Sequence, residues 1–121
     1  MRALVSIITP SYNSAKFIAE TIQSVQNQTY PNWEMIIVDD GSSDETESVV
    51  RSIIQNDNRI QFHKLNQNSG PAVARNTGIE KASGDYMTFI DADDIWFPTF
   101  IENNIKTIQE TGIPFVFSSY K

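Results

Sequence analysis

Met35-Ile36-Ile37-Val38-Asp39-Asp40-Gly41-Ser42-Ser43-Asp44 is the stretch that decides the fold. Four apolar residues in a row, stopped at once by two acids and a glycine, read as a strand covered on both faces, the habit of parallel sheets. With Trp33 in front of it, the strand spans Trp33 to Val38. Asp44 and Glu47, three apart, predict a capping box, and Val49, Val50, Ile53 and Ile54 give the following helix a buried stripe. The segment is therefore strand, acidic turn, helix.

The same alternation extends in both directions. Upstream, Leu4 to Ile8 is β-rich and is expected to stop at Thr9-Pro10-Ser11, after which Ala15, Ile18, Ile22 and Val25 recur at helical spacing. Downstream, Ile60 to Leu65 predicts a third strand and Asn66 to Gly70 a polar loop. Pro71 suits a first helical position, in a helix running to about Ala82. Tyr86 to Ile90 predicts a fourth strand, followed directly by Asp91-Ala92-Asp93-Asp94. Pro98 opens a helix carrying Ile101, Ile105 and Ile108, closed by Gly112, ahead of a short apolar run from Phe115 to Phe117. Strands separated by helices imply parallel pairing with right-handed crossovers. The expected class is α/β, a Rossmann-like doubly wound sheet with helices on both faces.

Composition narrows the possible functions. A chain of 121 residues holds one domain or a substantial part of a larger one, and its 40% hydrophobic content supports a real core. Fifteen Asp and Glu against nine Lys and Arg give a net charge of -6, which opposes general nucleic-acid binding. The absence of Cys removes disulfides, thiolate nucleophiles and Cys-type zinc sites. Apolar runs are far shorter than the ~20 residues that span a bilayer, and Thr9-Pro10 breaks the N-terminal run before a signal-peptide core forms. A cytoplasmic location is the default expectation.

Ligands of open parallel sheets bind outside the carboxyl ends of the strands, where the strand order reverses. Pro10 and Tyr12, Asp39 and Asp40, and Asp91, Asp93 and Asp94 all fall at such ends. In extended backbone, Asp91 and Asp93 would point the same way, and hard divalent ions such as Mg²⁺ and Mn²⁺ take oxygen ligands of this kind. The alternative is an acidic turn that caps the next helix. Asp40 and Asp44 are read as turn and cap residues, whereas Asp39 could accept hydrogen bonds from a ring N–H and a ribose hydroxyl. Tyr12 could offer an aromatic face to a base. Arg75 is either a solvated helix charge or a partner for the carboxylates or the ligand. His63, the only histidine, is read as structural. The loop Asn68-Ser69-Gly70 could present N–H groups to an anion, but it lacks both the dinucleotide glycine fingerprint and the P-loop lysine.

Four ordered motifs then resemble a known family. Ile8-Thr9-Pro10-Ser11-Tyr12-Asn13, Val38-Asp39-Asp40-Gly41-Ser42-Ser43-Asp44, Asn68-Ser69-Gly70 with Ala74-Arg75-Asn76-Thr77-Gly78, and Asp91-Ala92-Asp93-Asp94 look like the successive motifs of family-two, GT-A-fold glycosyltransferases. The resemblance implies a nucleotide-sugar donor, commonly a UDP-sugar. It implies that Pro10 and Tyr12 frame the base, with Tyr12 stacking on it, that Asp39 bonds the base's polar edge, and that Arg75 lies near the nucleotide. Asp91 would contact the ribose or a metal-bound water, and Asp93 would ligate Mn²⁺ or Mg²⁺ directly.

The resemblance further implies inversion at the anomeric carbon and a carbohydrate or lipid-linked acceptor. The family's base lies in a later acidic motif with no counterpart before Lys121. Residues 1–121 are thus expected to be the donor half of a catalytic domain, inactive in transfer without the acceptor half, with self-association through a cut surface and a full-length protein at the membrane's inner face. Two other readings stand beside this one. The first is a non-catalytic nucleotide-sugar-binding module of the same fold. The second is a phosphoacceptor receiver-like domain, which would need an acid pair where this chain has Pro10 and Ser11.

Overall fold

The computed structural model describes residues 2–112 and the backbone of one further short strand. The elements are β1 (Val5–Ser11), α1 (Ile18–Gln26), β2 (Trp33–Asp39), α2 (Thr46–Ile54), β3 (Ile60–Lys64), α3 (Pro71–Lys81), β4 (Tyr86–Phe89), α4 (Phe100–Thr111) and β5 (Phe117–Ser118). The strands form one parallel sheet in the order β3-β2-β1-β4-β5. The chain steps from β1 outward to β3, then returns to pair β4 on the far side of β1, so the order reverses between β1 and β4. The predicted class and its element order hold. Of the predicted Phe115–Phe117 run, Phe115 and Val116 lie outside the described residues.

The two faces of the sheet are built differently. On one, Ile7, Met35 and Ile37 pack with Ile18, Ile22 and Val25 of α1, Val50 of α2 and Ile101, Ile105 and Ile108 of α4. On the other, Ile36 and Val38 meet Ala74 of α3. Helix α3 has no apolar stripe; its buried residues are Ala74 and Gly78, four apart on one face. A Cβ on Gly78 would lie 2.6 Å from Ile8 Cγ2, so the missing side chain lets α3 settle directly onto β1 and β2.

Strand β1 runs three residues past its predicted end, straight through Pro10. Ser11 O accepts Asp40 N from the β2 side and Ile8 O accepts Ile90 N from the β4 side. Alternation along the strand therefore turns the Pro10 nitrogen toward β4, whose pairing with β1 has ended at Phe89. The next bond of a regular ladder would run from residue 10 N–H to Ile90 O, so the missing donor ends the pairing on the β4 side, while β2 carries the strand on to Ser11. Helix α1 starts three residues later than expected, after a turn in which Ser14 O accepts Phe17 N and Ile18 N.

The predicted capping box does not form. Asp44 accepts Thr46 N at 3.0 Å and Ala15 N at 3.1 Å, while Glu47 turns away to Arg51 at 2.8 Å and Lys64 at 3.2 Å. Burial alone would raise the Asp44 carboxyl, but the bonds from Thr46 and Ala15 outweigh it and hold it below its ordinary range.

Candidate functional site

The carboxyl ends of β1, β2 and β4, with the loop before α3, enclose an open cleft of about 470 Å³. Its walls include Pro10, Tyr12, Asp40, Asn68, Arg75, Asp91 and Asp93. This is the crevice at the reversal of strand order where open α/β sheets bind ligands. Pro10, Tyr12, Arg75, Asp91 and Asp93 therefore meet in one place, although β1, α3 and β4 bring them from distant parts of the chain. Tyr12 is 52% exposed, leaving a ring face open to the cleft. The Arg75 guanidinium lies over the Phe89 ring, 6.0 Å from its centroid, which keeps this helix cation at the cleft wall.

Asp39 stands apart from that group. It is fully buried, absent from the cleft wall, and turned to its own loop, where it accepts Ser42 N at 2.9 Å and Ser42 Oγ at 2.5 Å. Asp40 is the member of the pair at the cleft. Its carboxylate accepts Ser69 N at 2.7 Å and Gly70 N at 2.9 Å, fastening the loop that leads into α3. The N–H groups of Ser69 and Gly70, which the sequence alone left open as possible anion donors, are occupied by the protein's own carboxylate. Strand alternation was the missed signal: Asp40 shares a face with Ile36 and Val38 under α3, whereas Asp39 continues the opposite face of Met35 and Ile37. Gly41 completes the turn at φ +74, with Asn68 N and Gln67 C so near that a Cβ would stand 2.8 and 2.9 Å from them.

Asp91, Asp93 and Asp94 each offer a carboxylate oxygen, all within 4.8 Å of one another. Their convergence does not come from extended backbone, as the sequence suggests. Strand β4 ends at Phe89, and Asp94 N bonds Asp91 O at 3.0 Å to close a turn that draws in the third acid. At 4.8 Å, two such charges repel by roughly 1 kcal/mol even in bulk water, and more where protein displaces the solvent. A hard divalent cation reverses the sign of that energy, and an all-oxygen donor set of this kind suits Mg²⁺ or Mn²⁺. The residues fit such an ion.

His63 is half-buried against Gln61, its ring nitrogen 3.0 Å from Oε1. Burial, then the nearby Lys81 charge, push its pKa down, in line with a structural role.

Fold and cleft together define a GT-A glycosyltransferase scaffold. The crystal structure of S. aureus TarS (1-349) in complex with UDP-GlcNAc superposes with a TM-score of 0.83 at 33% identity, over 88% of this chain and 31% of that one. The mannosyltransferase PcManGT of Pyrobaculum calidifontis, in complex with GDP-Man and Mn²⁺, superposes with a TM-score of 0.83 at 30% identity, over 89% of this chain and 33% of that one. The chain belongs to glycosyl transferase family 2, whose profile matches residues 6–120. Among its relatives, Escherichia coli WfgD, a UDP-Glc:alpha-D-GlcNAc-diphosphoundecaprenol beta-1,3-glucosyltransferase, is 42% identical over 118 residues, which are 98% of this chain and 46% of that protein. The chain spans about half or less of the length of these curated relatives. Among the described residues, no helix is long and apolar enough to cross a membrane.

Proposed function

We propose that residues 1–121 form the donor-binding portion of an inverting glycosyltransferase that moves a sugar from a nucleoside diphosphate, UDP foremost, to an acceptor hydroxyl. The observation that carries this reading is the meeting of an exposed aromatic, a cationic helix residue and three converging carboxylates in one cleft. The UDP-GlcNAc complex of TarS and the UDP-Glc donor in the name of WfgD favour UDP over other nucleotides. WfgD's lipid-linked acceptor favours an acceptor of that kind, carbohydrate on a diphosphate lipid.

In this reading Tyr12 stacks on the base against Pro10, and Arg75 lies beside the nucleotide. The polar edge of the base falls to Asp40, whose carboxylate has about four acceptor sites and spends two on Ser69 and Gly70. Asp39 shapes the turn beneath it through Ser42. Asp91 and Asp93, joined by Asp94, would hold Mn²⁺ or Mg²⁺. When bound, that ion supplies positive charge to the diphosphate as the sugar departs. The protein's own part is to fix the base, exclude water from its stacked face and keep the carboxylates in register. The base that deprotonates the acceptor lies outside residues 1–121.

Thermal unfolding with UDP, GDP or dTDP, each with and without Mn²⁺, tests the reading. A ligand at 100 times its Kd stabilises by about 2.7 kcal/mol, which for a domain of this size raises Tm by roughly 10 °C. Asp93→Ala should abolish the Mn²⁺-dependent part. A wild type indifferent to all three nucleotides refutes the donor site, and a mutant with the full Mn²⁺ response refutes the metal assignment. A non-catalytic module would bind donor in the full-length protein without hydrolysing or transferring it.

A further inference from the structure

The buried face of α1 carries two polar residues, Thr21 and Ser24, and a third buried polar residue, Gln28, follows just past the helix end. Burying such groups is unfavourable unless each finds a partner. All three find theirs on the segment that follows β4. Thr21 Oγ1 donates to Ala92 O at 2.9 Å, and Ser24 Oγ accepts Trp96 N at 3.2 Å. Gln28 donates from Nε2 to Phe97 O at 2.9 Å and accepts Ile101 N at Oε1 at 3.0 Å. Helix α1 thus grips the backbone that carries the acidic turn at its start and enters α4 at its end.

Of these contacts, the one from Thr21 falls inside the turn. Ala92 O belongs to the peptide that joins Ala92 to Asp93, and that peptide's orientation sets the Asp93 side chain relative to Asp91. Thr21 is fully buried and Ala92 is 6% exposed, so water is not at hand to replace the bond. The bond from Asp94 N to Asp91 O closes the turn around that peptide, and the Thr21 hydroxyl bonds the peptide's own carbonyl. We propose that Thr21 is a positioning residue for the divalent cation: its hydroxyl holds the Ala92–Asp93 peptide so that the carboxylates of Asp91 and Asp93 converge. This inference rests on the metal-assisted reading given above. Partners that orient metal ligands without touching the metal commonly change its affinity by about 10- to 100-fold when removed.

The experiment is a titration of the intact protein with Mn²⁺, alone and with UDP, following the electron paramagnetic resonance signal of free Mn²⁺. It compares wild type with Thr21→Val, Thr21→Ser and Ser24→Ala, with the Tm of each recorded. Thr21→Val, which keeps the shape and loses the donor, should weaken Mn²⁺ binding by about 10-fold or more. Thr21→Ser should bind like wild type. Ser24→Ala removes a buried bond from the same helix outside the turn, so it should lower Tm without a matching loss of Mn²⁺. Wild-type affinity in folded Thr21→Val, a tenfold loss in folded Thr21→Ser, or an equal loss in Ser24→Ala overturns the inference while leaving the metal site standing. No Mn²⁺ uptake by wild type in either arm overturns the metal reading itself, and the role of Thr21 with it. If Thr21→Val does not fold, Thr21→Ala takes its place under the same criteria.

Discussion

Replacing Gly41 by Ala puts two separable stresses on the cleft, and a second glycine measures one of them alone. Gly41 sits at φ +74, where an L residue costs about 1–2 kcal/mol. Its Cβ would also stand 2.8 Å from Asn68 N and 2.9 Å from Gln67 C, both backbone atoms that cannot rotate aside. Forcing atoms into packed space costs about 1–3 kcal/mol, so Gly41→Ala should lose about 2–5 kcal/mol in total. At roughly 4 °C per kcal/mol for a domain of this size, Tm falls by about 8–20 °C. Gly112, at φ +71 with nothing within 4 Å of its Cβ position, carries only the conformational part. Gly112→Ala should therefore lose about 1–2 kcal/mol. Urea unfolding of both variants gives the difference, which is the clash. Because the clash pushes on the loop that Asp40 fastens, Gly41→Ala should also weaken UDP binding, and Gly112→Ala should not. Equal losses of stability in the two variants would refute the close packing of the Gly41 turn on the 66–70 loop.

Other predictions follow from the same contacts. Tyr12→Ala, at a half-exposed ring, should leave folding stability within about 0.5 kcal/mol of wild type yet weaken UDP by about 1–3 kcal/mol, as for a base stacked on an aromatic; urea unfolding checks the first and calorimetric titration the second. Asp40→Asn keeps the shape but offers an amide to two N–H donors, so a loss of about 1.5–3 kcal/mol in urea unfolding is expected. Asp57 is held below its ordinary value of 3.8, first by the Arg59 side chain, whose guanidinium also stacks 3.8 Å over Trp33. Its folded-state pKa is depressed, so its contribution to stability is present above 3.8 and disappears as pH falls through the folded value. The stability gap between wild type and Asp57→Asn, read from urea midpoints across a pH series, should therefore close on acidification. A gap that widens would refute the Asp57–Arg59 pairing.

The linear pattern determined a great deal about this chain. Met35 to Val38, a short apolar run stopped at once by acids and Gly41, specified a buried parallel strand because a strand covered on both faces carries apolar residues at every position and the run is too short for a helix. Isoleucines at helical spacing specified α1 and α4, and Pro71 marked the start of α3, since each signal is local and periodic. The end of β1 was misplaced because proline's effect depends on what lies across the ladder. Pro10 ends the pairing on the β4 side only, and β2 carries the strand on to Ser11.

The cleft divides in the same way. That Tyr12, Asp91 and Asp93 would gather at one rim was legible, because parallel α/β connectivity sends every strand's carboxyl end to one side of the sheet, whereas Arg75, on a helix, was placed there only by the family resemblance. Which acid of the Asp39-Asp40 pair faces the cleft was decided only once α3 docked on one face. The carboxylates of Asp91, Asp93 and Asp94 converge through a closed turn, and the buried hydroxyl of Thr21, 71 residues before Ala92, bonds that turn's central peptide. Such bonds join partners far apart in the chain and leave no periodic trace, so they become visible only when tertiary packing has removed water from both ends.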